Sequence, residues 1–573
     1  MVSIATASAG VQANAALRLA PESGVGARGP EPEASASVAK PIDSLQHQYL
    51  RSYHCRKDEN GDTTMAEPLL LTLDQGTTSS RATLHTASGQ RLLSCSAPLT
   101  CRYPADGWVE QDGEEIWISQ LTALQQLEQA LTPEQRRAVV AAGIANQRET
   151  TLLWERQSGA LLGPAIVWQD GRTAGICSHW RQEGLETLLR QRTGLLVDPY
   201  FSASKIVWLL QHQAAAASAA ANGSLCFGTV DSWLLWRLSD GQCHATDRSN
   251  ASRTLLMDLE RGCWDPELCA ALGIPPGALP VLHHSGDAFT TIAAGLPFAG
   301  VPVQAVLGDQ QAATLGQGCL RPGAAKCTYG TGAFLVSNTG PEIRRSSQGL
   351  LSTWGWSMPG SSPTYCLEGS LLNAGTVIQW LRDGLGLIQQ TEEVNALAAS
   401  VPDSGGVMLV PAFTGWGTPH WDPFARGLMI GLGRDTSRGH VARAALEGIA
   451  LAVATLVELA GDALNAPLQH LVADGGAAAS DPLLQAQADS TGLKVYRRSD
   501  LESTSRGVAL LAGVMAGVVP GLEAWNQVPG EPPPRCFQPQ LTPEQRHHWR
   551  QRWREAVRRS LGWADQDHEH DQS

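Results

Sequence analysis

A carboxylate and a run of hydroxyl side chains follow an apolar segment in LLLTLDQGTTSSRA, residues 69–82. The apolar run is typical of a buried strand, and it places Asp74 at the strand's end. The turn that follows offers successive backbone N–H groups, which form an anion-binding concavity, and Gly76 lets the backbone come close to a ligand. Arg81 adds a charged donor. These residue types could hold a phosphate group.

Asp74 would repel a bare phosphate, and a Mg²⁺ ion between the two would resolve this conflict. Mg²⁺ keeps several of its waters and can be held by one carboxylate together with phosphate oxygens. The alternative is a hairpin in which Thr and Ser serve only turn chemistry and the aspartate lies on the surface. Residues 69–82 alone leave both interpretations open.

Two later turns repeat the pattern. In CTYGTGAFLVSN, residues 327–338, Gly-Thr-Gly joins two apolar runs, and in VADGGAAAS, residues 472–480, an apolar run ends in Asp and Gly-Gly. Two phosphate-type hairpins, one in each half of the chain, predict a nucleotide clamped between two lobes. The third turn, with its small residues, could lie flat against an adenosine.

Asp309 follows another apolar run in VLGDQQAATLGQG and is expected in the same cleft. A positioned carboxylate can accept the proton of a substrate hydroxyl during phosphoryl transfer. The alternative is a helix N-cap, since an aspartate before a helical pattern suits that position. Both roles can hold at once.

Arg148 and Glu149 stand side by side in ANQRETTLLW, after a predicted strand. Adjacent residues on a strand face opposite ways, but in a turn beyond the strand both could converge on one ligand. A donor fork and an acceptor carboxylate suit a polyol, whose hydroxyls both donate and accept hydrogen bonds. The alternative is a solvated surface pair. Tyr200 and Trp168 could supply a wall, although aromatic residues serve more often in the core.

The elements that must position these residues alternate between short apolar runs and helical patterns. The runs are LLLTLD, AAGIANQ, VPVQAVLGD, GVMLVPAF and LQHLVADGG; the helical patterns include EEIWISQLTALQQLEQAL and RGHVARAALEGIALAVATLVELAGDAL. Such alternation predicts an α/β fold, in which ligands bind beyond the carboxyl ends of the strands.

Size and charge narrow the functional class. The chain has 573 residues and a formal net charge of −13, which argues against a nucleic-acid partner or stable membrane association, since both need a basic face. The longest apolar stretches are shorter than a membrane span and predict core helices. The 12 cysteines contain no C-x-x-C pair, so we expect reduced, partly buried thiols and a cytoplasmic protein.

The two ends of the chain differ in composition from the rest. Residues 1–64 are rich in Ala, Ser, Gly and Pro, a composition that cannot bury enough apolar surface to fold. A transit peptide and a disordered or untranslated extension before Met65 are the two interpretations, and the acidic Glu22, Glu31 and Glu33 favour the extension. Residues 565–573 are expected to form a polar tail.

From about Leu69 to about Trp563 the chain resembles the FGGY carbohydrate kinases. The motifs occur in family order: LDQGTTSSRA, NQRETT, IVWQDGRT, DPYFSASK, FGTVDSWLLWRL, TDRSNASRTLL, GDQQAATLGQ, TYGTGAF, IQWLRD, WDPFARG and DGGA. The resemblance implies two ribonuclease-H-like lobes of the actin-like ATPase type around a central nucleotide and substrate cleft. Residues 65–318 would form the N-terminal lobe, with the glycerol and phosphate-loop side, and residues 319–564 the C-terminal, nucleotide lobe.

The resemblance also implies the activity, which is ATP-dependent phosphorylation of glycerol at a terminal hydroxyl. Asp309 would be the general base, and Asp74 would meet Mg²⁺ through water. The remaining implied glycerol contacts are Arg148, Glu149, Tyr200, Gln310, Trp168 and Phe334. The implied ATP contacts are Thr77, Thr78, Ser79, Arg81, Thr331, Gly375, Gln379, Gly476 and Ser480.

Three other functions remain as alternatives: a kinase for another polyol or sugar, a non-catalytic sugar sensor, and an actin-like ATPase chaperone. Asp74 and Asp309 argue against the sensor, and the pair Arg148–Glu149 has no role in the chaperone. A homo-oligomer is left open.

The chain departs from the family pattern at Ser480, where relatives often have Asn, and at Trp416 and His420. Residues 290–303 contain no Arg or Lys, so we expect no fructose 1,6-bisphosphate inhibition of the kind some relatives show.

Overall fold

A computed structural model describes residues 67–566 of the chain. The predictions for residues 1–64 and for most of the polar tail lie outside the described residues. Strands and helices are numbered below in chain order.

The first large sheet has six strands in the order β13-β14-β5-β1-β2-β3. The strands are β1 Leu69–Gln75, β2 Ser79–Thr86, β3 Arg91–Pro98, β5 Val139–Asn146, β13 Gly286–Thr291 and β14 Pro302–Gly308. Strands β1, β2 and β3 form an antiparallel meander, and β1, β5 and β14 run parallel. The apolar runs LLLTLD, AAGIANQ and VPVQAVLGD are therefore strands, as predicted.

The second large sheet has seven strands in the order β17-β18-β16-β15-β21-β22-β23. The strands are β15 Ala325–Tyr329, β16 Ala333–Gly340, β17 Leu351–Trp356, β18 Thr364–Leu371, β21 His470–Asp474, β22 Lys494–Arg497 and β23 Arg535–Phe537. An antiparallel hairpin, β15–β16, again continues into parallel strands, β15, β21 and β22. The two sheets thus share the arrangement expected of two ribonuclease-H-like lobes.

Five small two-stranded sheets accompany them. The pairs are β4 Glu110–Gln111 with β7 Ala165–Ile166, β6 Leu152–Glu155 with β8 Leu225–Gly228, β9 Ala245–Asp247 with β12 Val281–His283, β10 Met257–Asp258 with β11 Cys263–Trp264, and β19 Met408–Val410 with β20 Leu428–Ile430. The predicted strand GVMLVPAF is therefore only three residues long.

The described helices surround these sheets. They are α1 Gly113–Gln129, α2 Pro133–Ala138, α3 Ala174–Gln182, α4 Glu186–Thr193, α5 Ser202–His212, α6 Ala214–Asn222, α7 Val230–Leu238, α8 Arg248–Ala251, α9 Pro266–Leu272, α10 Asp309–Gly316, α11 Gly375–Asp383, α12 Glu393–Ala399, α13 Arg438–Leu464, α14 Asp481–Thr491, α15 Ser503–Met515 and α16 Pro543–Ser560.

Helix α13 is long and apolar enough to cross a membrane by length and composition, which the sequence prediction of short apolar stretches missed. It is nevertheless a core helix, as predicted, because 83% of its most apolar window is buried inside the protein. Its buried face belongs to the apolar core around the second sheet.

Helix α15 comes from the far end of the sequence but packs against the first sheet. Its Val508, Leu511 and Ala512 share one buried cluster with Leu70 of β1 and Leu307 of β14. The layer that covers this face of the first sheet is therefore supplied some 200 residues after β14. The predicted lobe boundary after residue 318 stays a prediction. It separates the strands of the two large sheets, but α15, which follows it in the sequence, packs on the first sheet.

Candidate active site

The turn between β1 and β2 is a tight hairpin. The Gly76 N–H donates to the Ser79 carbonyl at 3.0 Å, and Asp74 lies directly opposite Arg81 across the two strands. Thr77 and Ser79 are partly exposed and Thr78 is exposed, so the turn is open to solvent at these residues. The surface aspartate of the hairpin alternative is wrong, since the Asp74 side chain is only 15% exposed. A phosphate site at this turn stays a prediction.

Arg81 is held between two carboxylates. Its Nη1 lies 3.9 Å from Asp74 Oδ2 and forms an ion pair with Glu502, which immediately precedes α15. We predicted Arg81 as a donor to phosphate, and the structure adds that this guanidinium already has an acidic partner from the far end of the chain.

Asp74 lies in a corner with excess negative charge. Burial, with smaller contributions from Glu502 and Asp309 and against the opposing effect of Arg81, raises its pKa to about 7. No cluster of three or more His, Cys, Asp or Glu side chains suited to a metal occurs among residues 67–566. A carboxylate whose one nearby cation, Arg81, is shared with Glu502 fits Mg²⁺ held mainly by water and phosphate oxygens.

Asp309 occupies the end of β14, where it is the first residue of α10 rather than the N-cap, which is Gly308. Its side chain is 30% exposed, and its Oδ1 lies 3.3 Å from Arg148 Nε. Burial raises the pKa of Asp309, against the opposing effects of Arg148 and Lys326. A carboxylate with a raised pKa that faces open space is a better proton acceptor than an ordinary aspartate.

Arg148 and Glu149 converge in the turn after β5. Glu149 has a φ of 61°, a left-handed conformation uncommon for a residue other than glycine. The turn brings Arg148 Nε to 3.9 Å from Glu149 Oε1, and both side chains are only 2% exposed. The two side chains lie close together in this turn, as predicted, and their convergence on one ligand stays a prediction. The alternative of a solvated surface pair is wrong because both groups are buried.

Glu368 and Arg253 complete this charge cluster, and sequence reasoning did not single them out. Arg148 donates two hydrogen bonds to the Glu368 carboxylate, at 2.6 Å from Nη1 and at 2.9 Å from Nη2. Arg253 donates to Glu368 at 3.0 Å and to Glu149 at 2.5 Å. Burial by itself would raise the pKa of Glu368, but Arg148 and Arg253 outweigh it and lower that pKa to about 2. Glu368 is therefore ionised.

A sequence signal existed for both residues. Glu368 is the only charged residue within the otherwise buried strand β18, and Arg253 lies inside the motif TDRSNASRTLL. Their partners are 220 and 104 residues away, so spacing alone could not have paired them.

Three aromatic side chains form one wall beside the cluster. The Trp168 ring lies edge-on to Tyr200, with centroids 5.7 Å apart, and to Phe334, with centroids 5.9 Å apart. Phe334 belongs to the hairpin strand β16 of the second sheet, so both sheets contribute to the wall. Trp168 Nε1 also donates to Thr77 Oγ1 at 3.0 Å, which links the aromatic wall to the first hairpin.

Lys326 is a buried cation that the sequence analysis also missed. Its Nζ donates to Gln310 Oε1 and, at 2.7 Å, to Thr328 Oγ1. Burial lowers the pKa of Lys326. This lysine on β15 of the second hairpin lies behind Gln310, and its charge lowers the pKa of Asp309.

The remaining predicted nucleotide residues line one cavity of about 350 Å³ in the second half of the chain. The structure brings together Thr331, Gly375, Gln379, Gly476 and Ser480 there. The backbone at residue 375 lies so close to the Gly330 carbonyl that only glycine fits, since a Cβ at this position would be 2.5 Å from the Gly330 oxygen. A Cβ at Gly476 would meet nothing within 4 Å, so the cavity has free space at this turn.

The departures from the family pattern have local explanations. Ser480 is the N-cap of α14: its Oγ accepts from the Leu483 N–H at 3.2 Å and donates to Asn395 Oδ1 at 2.5 Å. Trp416 is buried, with its ring centroid 6.3 Å from that of His420. The substituted pair therefore pack near each other.

Two family models match the chain. The FGGY family of carbohydrate kinases, N-terminal domain, matches residues 69–316, and the C-terminal domain of the same family matches residues 325–516.

Named relatives cover nearly the same region. The chain is 48% identical to the glycerol kinase of Citrifermentans bemidjiense over 498 residues, which are 86% of this chain and 99% of that protein. It is 50% identical to the glycerol kinase of Aromatoleum aromaticum, again with 86% and 99% covered. The crystal structure of Plasmodium falciparum glycerol kinase with ADP matches with a TM-score of 0.80 and 30% identity, over 86% of this chain and 98% of that one. These matches confirm the predicted two-lobe α/β fold class.

Proposed function

The chain belongs to the FGGY family of carbohydrate kinases, and we propose that it transfers the γ-phosphoryl group of ATP to a terminal hydroxyl of glycerol. The products are sn-glycerol 3-phosphate and ADP. The names of the relatives support this substrate. The observation that carries the proposal is the buried pair Arg148–Glu149 with Asp309 beside it.

Glycerol binds by its hydroxyls to this charge cluster and by its carbon side to the aromatic wall. Arg148 donates and Glu149 accepts, which suits a hydroxyl that does both. Asp309, Gln310 and Tyr200 supply further hydrogen bonds, and Trp168 and Phe334 pack against the carbon chain.

In the chemical step, Asp309 accepts the proton of the attacking hydroxyl. The hydroxyl oxygen forms a bond to the γ-phosphorus, and the bond from that phosphorus to the bridging oxygen breaks, so ADP leaves with the electron pair. The protein contributes mainly position and charge, because this transfer needs little covalent participation by side chains.

ATP binds between the two hairpins. Its phosphates meet the turn from Thr77 to Ser79 and the side chain of Arg81, which exchanges its contact with Glu502 for phosphate. The nucleoside occupies the cavity lined by the second half of the chain. Asp74 would hold Mg²⁺ through water, and the ion, when bound, neutralises charge on the phosphate oxygens.

We place this activity in the cytoplasm. All eleven cysteines of the described residues are free thiols, which fits a reducing compartment.

The test is ATP-dependent phosphorylation of glycerol by the purified chain. Asp309→Asn should lower kcat by roughly 10²- to 10⁴-fold, the usual contribution of a general base, while glycerol binding stays measurable by calorimetry. Asp287→Asn is the matched control, because Asp287 is 29% exposed, close to the 30% of Asp309, but is paired with His283 outside the site. Unchanged turnover of Asp309→Asn would refute the assignment of the base.

A substrate panel tests the choice of acceptor. Glycerol should have the highest kcat/KM among glycerol, glyceraldehyde, ketopentoses and other polyols. Faster turnover of a ketopentose would contradict the proposal and favour another substrate of the same family.

A further inference from the structure

We propose that Arg253 is a positioning residue for the polyol site, holding Glu149 and Tyr200 directly and Arg148 through Glu368. This inference rests on the proposed function, because it concerns the same substrate site. Arg253 is fully buried, so it acts on the substrate only through the groups it holds.

The hydrogen bonds of Arg148 leave little of its guanidinium for a substrate. Its Nη1 donates to Glu368 and to Gln311, and its Nη2 donates once to Glu368. Its Nε faces Asp309 at 3.3 Å. A guanidinium has five N–H donors, so three are committed to hydrogen bonds. The Nε–H, which faces Asp309 without forming a hydrogen bond, and one N–H on Nη2 are left for glycerol.

Glu149 is restricted in the same way. Its Oε1 accepts from Arg253 Nε at 2.5 Å, and among the described residues no hydrogen bond reaches its Oε2. The pair Arg148–Glu149 therefore presents the remaining N–H groups of Arg148 beside Oε2 of Glu149, which suits a hydroxyl group that both accepts and donates a hydrogen bond. Glu368 and Arg253 decide which atoms of this pair face the substrate, because Glu368 binds part of the Arg148 guanidinium and Arg253 binds Oε1 of Glu149.

Arg253 connects these restraints. Its Nε binds Glu149, its Nη2 binds Glu368 at 3.0 Å, and its guanidinium carbon lies 5.4 Å from the ring centroid of Tyr200 and 5.3 Å from that of Phe201. Its Nη1 has no hydrogen-bond partner among the described residues, and the two ring faces stabilise the charge at this point. The planar guanidinium of Arg253 binds both carboxylates and packs on both rings at once, whereas the single ammonium group of a lysine cannot.

The charge balance gives a second reason for Arg253. Arg148 and Arg253 face Glu149, Glu368 and the nearby Asp309, all in a largely buried space. Without the guanidinium of Arg253, the two cations Arg148 and Lys326 would face three carboxylates. One carboxyl would then take up a proton, because like charges in a buried site cannot all stay ionised, and the acceptor offered to glycerol would be lost.

The arrangement also joins the two sheets. Arg148 and Glu149 follow β5 of the first sheet, Arg253 follows α8, and Glu368 lies in β18 of the second sheet. A residue of the second sheet thus sets the orientation of a polyol contact in the first.

The experiment compares Arg253→Lys with Arg172→Lys. Arg172 is the matched control, since it is also fully buried and bonded to a carboxylate, Asp170, but lies outside the site. KM for glycerol, KM for ATP and kcat are measured for each variant and for the wild type. For Arg253→Lys we expect KM for glycerol to rise roughly tenfold to a hundredfold, the range for lost hydrogen bonds between charged groups, with KM for ATP within about twofold of the wild type.

KM does not depend on the concentration of active enzyme, so a variant that folds in low yield can still be compared with the wild type. If Arg253→Lys gives no folded protein, Glu368→Asp replaces it, because it keeps the charge but withdraws the carboxylate from both arginines; the same glycerol-specific rise is expected.

The inference is overturned if KM for glycerol stays within twofold of the wild type, or if both KM values rise together as in a general loss of structure. Activity of the wild type and of Arg172→Lys on glycerol tests the proposed function separately. Failure of those two proteins would refute the function, whereas failure of the KM pattern alone would refute the role of Arg253.

Discussion

Gly375→Ala should weaken nucleotide binding while leaving the polyol site intact. Gly375 is the first residue of α11, and its N–H donates to the Gly330 carbonyl at 2.9 Å. The neighbouring Ala374 N–H donates to the Thr331 carbonyl at 2.8 Å. The start of α11 is therefore bonded directly to the turn of the second hairpin, and both line the nucleotide cavity.

The size of the effect follows from the contact that the new methyl group would make. An alanine Cβ would lie 2.5 Å from the Gly330 oxygen and 3.3 Å from its carbonyl carbon, and both neighbours are backbone atoms that cannot rotate away. Overpacking of this kind costs about 1–3 kcal/mol, and the better helix propensity of alanine returns up to about 1 kcal/mol. A net loss of about 1–2 kcal/mol in nucleotide affinity corresponds to an increase of about 5- to 30-fold in KM for ATP.

The assay is steady-state kinetics with ATP and glycerol varied in turn, together with calorimetric titration of ADP. Gly175→Ala is the matched control: Gly175 lies in the first turn of α3, and an added Cβ there meets nothing within 4 Å. The control should behave as the wild type. The reasoning is refuted if Gly375→Ala keeps its KM for ATP within twofold of the wild type, or if KM for glycerol rises as much.

Two further predictions concern a hydrogen bond and a buried acid. Trp168→Phe keeps the aromatic wall but loses the N–H that binds Thr77, so we expect KM for ATP or kcat to worsen about fivefold, the value of about 1 kcal/mol for one such bond; a change confined to KM for glycerol would contradict this. Burial raises the pKa of Asp231 to about 7, so its carboxyl keeps a proton in the folded protein that the unfolded chain releases, and the contribution of Asp231 to stability falls as pH rises from about 4 to about 7. The Asp231→Asn variant has no carboxyl group to titrate at this position, so its Tm should fall less over this pH range in calorimetric scans. An unchanged dependence of Tm on pH would refute the assignment.

Local features of the site could be predicted from the sequence. The hairpin from Asp74 to Arg81 is formed by neighbouring residues whose apolar run, Gly and hydroxyls each favour it, and the structure contains that hairpin. The turn that brings Arg148 and Glu149 together is also local. The residue types in these segments were compatible with a phosphate and a polyol before any contact was known, but they left a plain hairpin and a solvated surface pair as alternatives.

Long-range partners could not be predicted in the same way. Arg81 was assigned to phosphate, but its partner Glu502 is 421 residues away. Glu368 follows 220 residues after Arg148, and nothing in its own strand indicates which cation it meets. Such pairs are fixed by the packing of two sheets, and that packing depends on the whole chain rather than on any window of it.

The position of α15 in the sequence has a consequence for synthesis on the ribosome. The face of the first sheet that carries Leu70 and Leu307 is complete once β14 has been made, but its covering helix begins only at Ser503. At about 5–20 residues per second, the roughly 200 residues in between take about 10–40 s to translate. During this interval the nascent chain displays an uncovered apolar surface, and this window is when it most needs a chaperone to prevent aggregation.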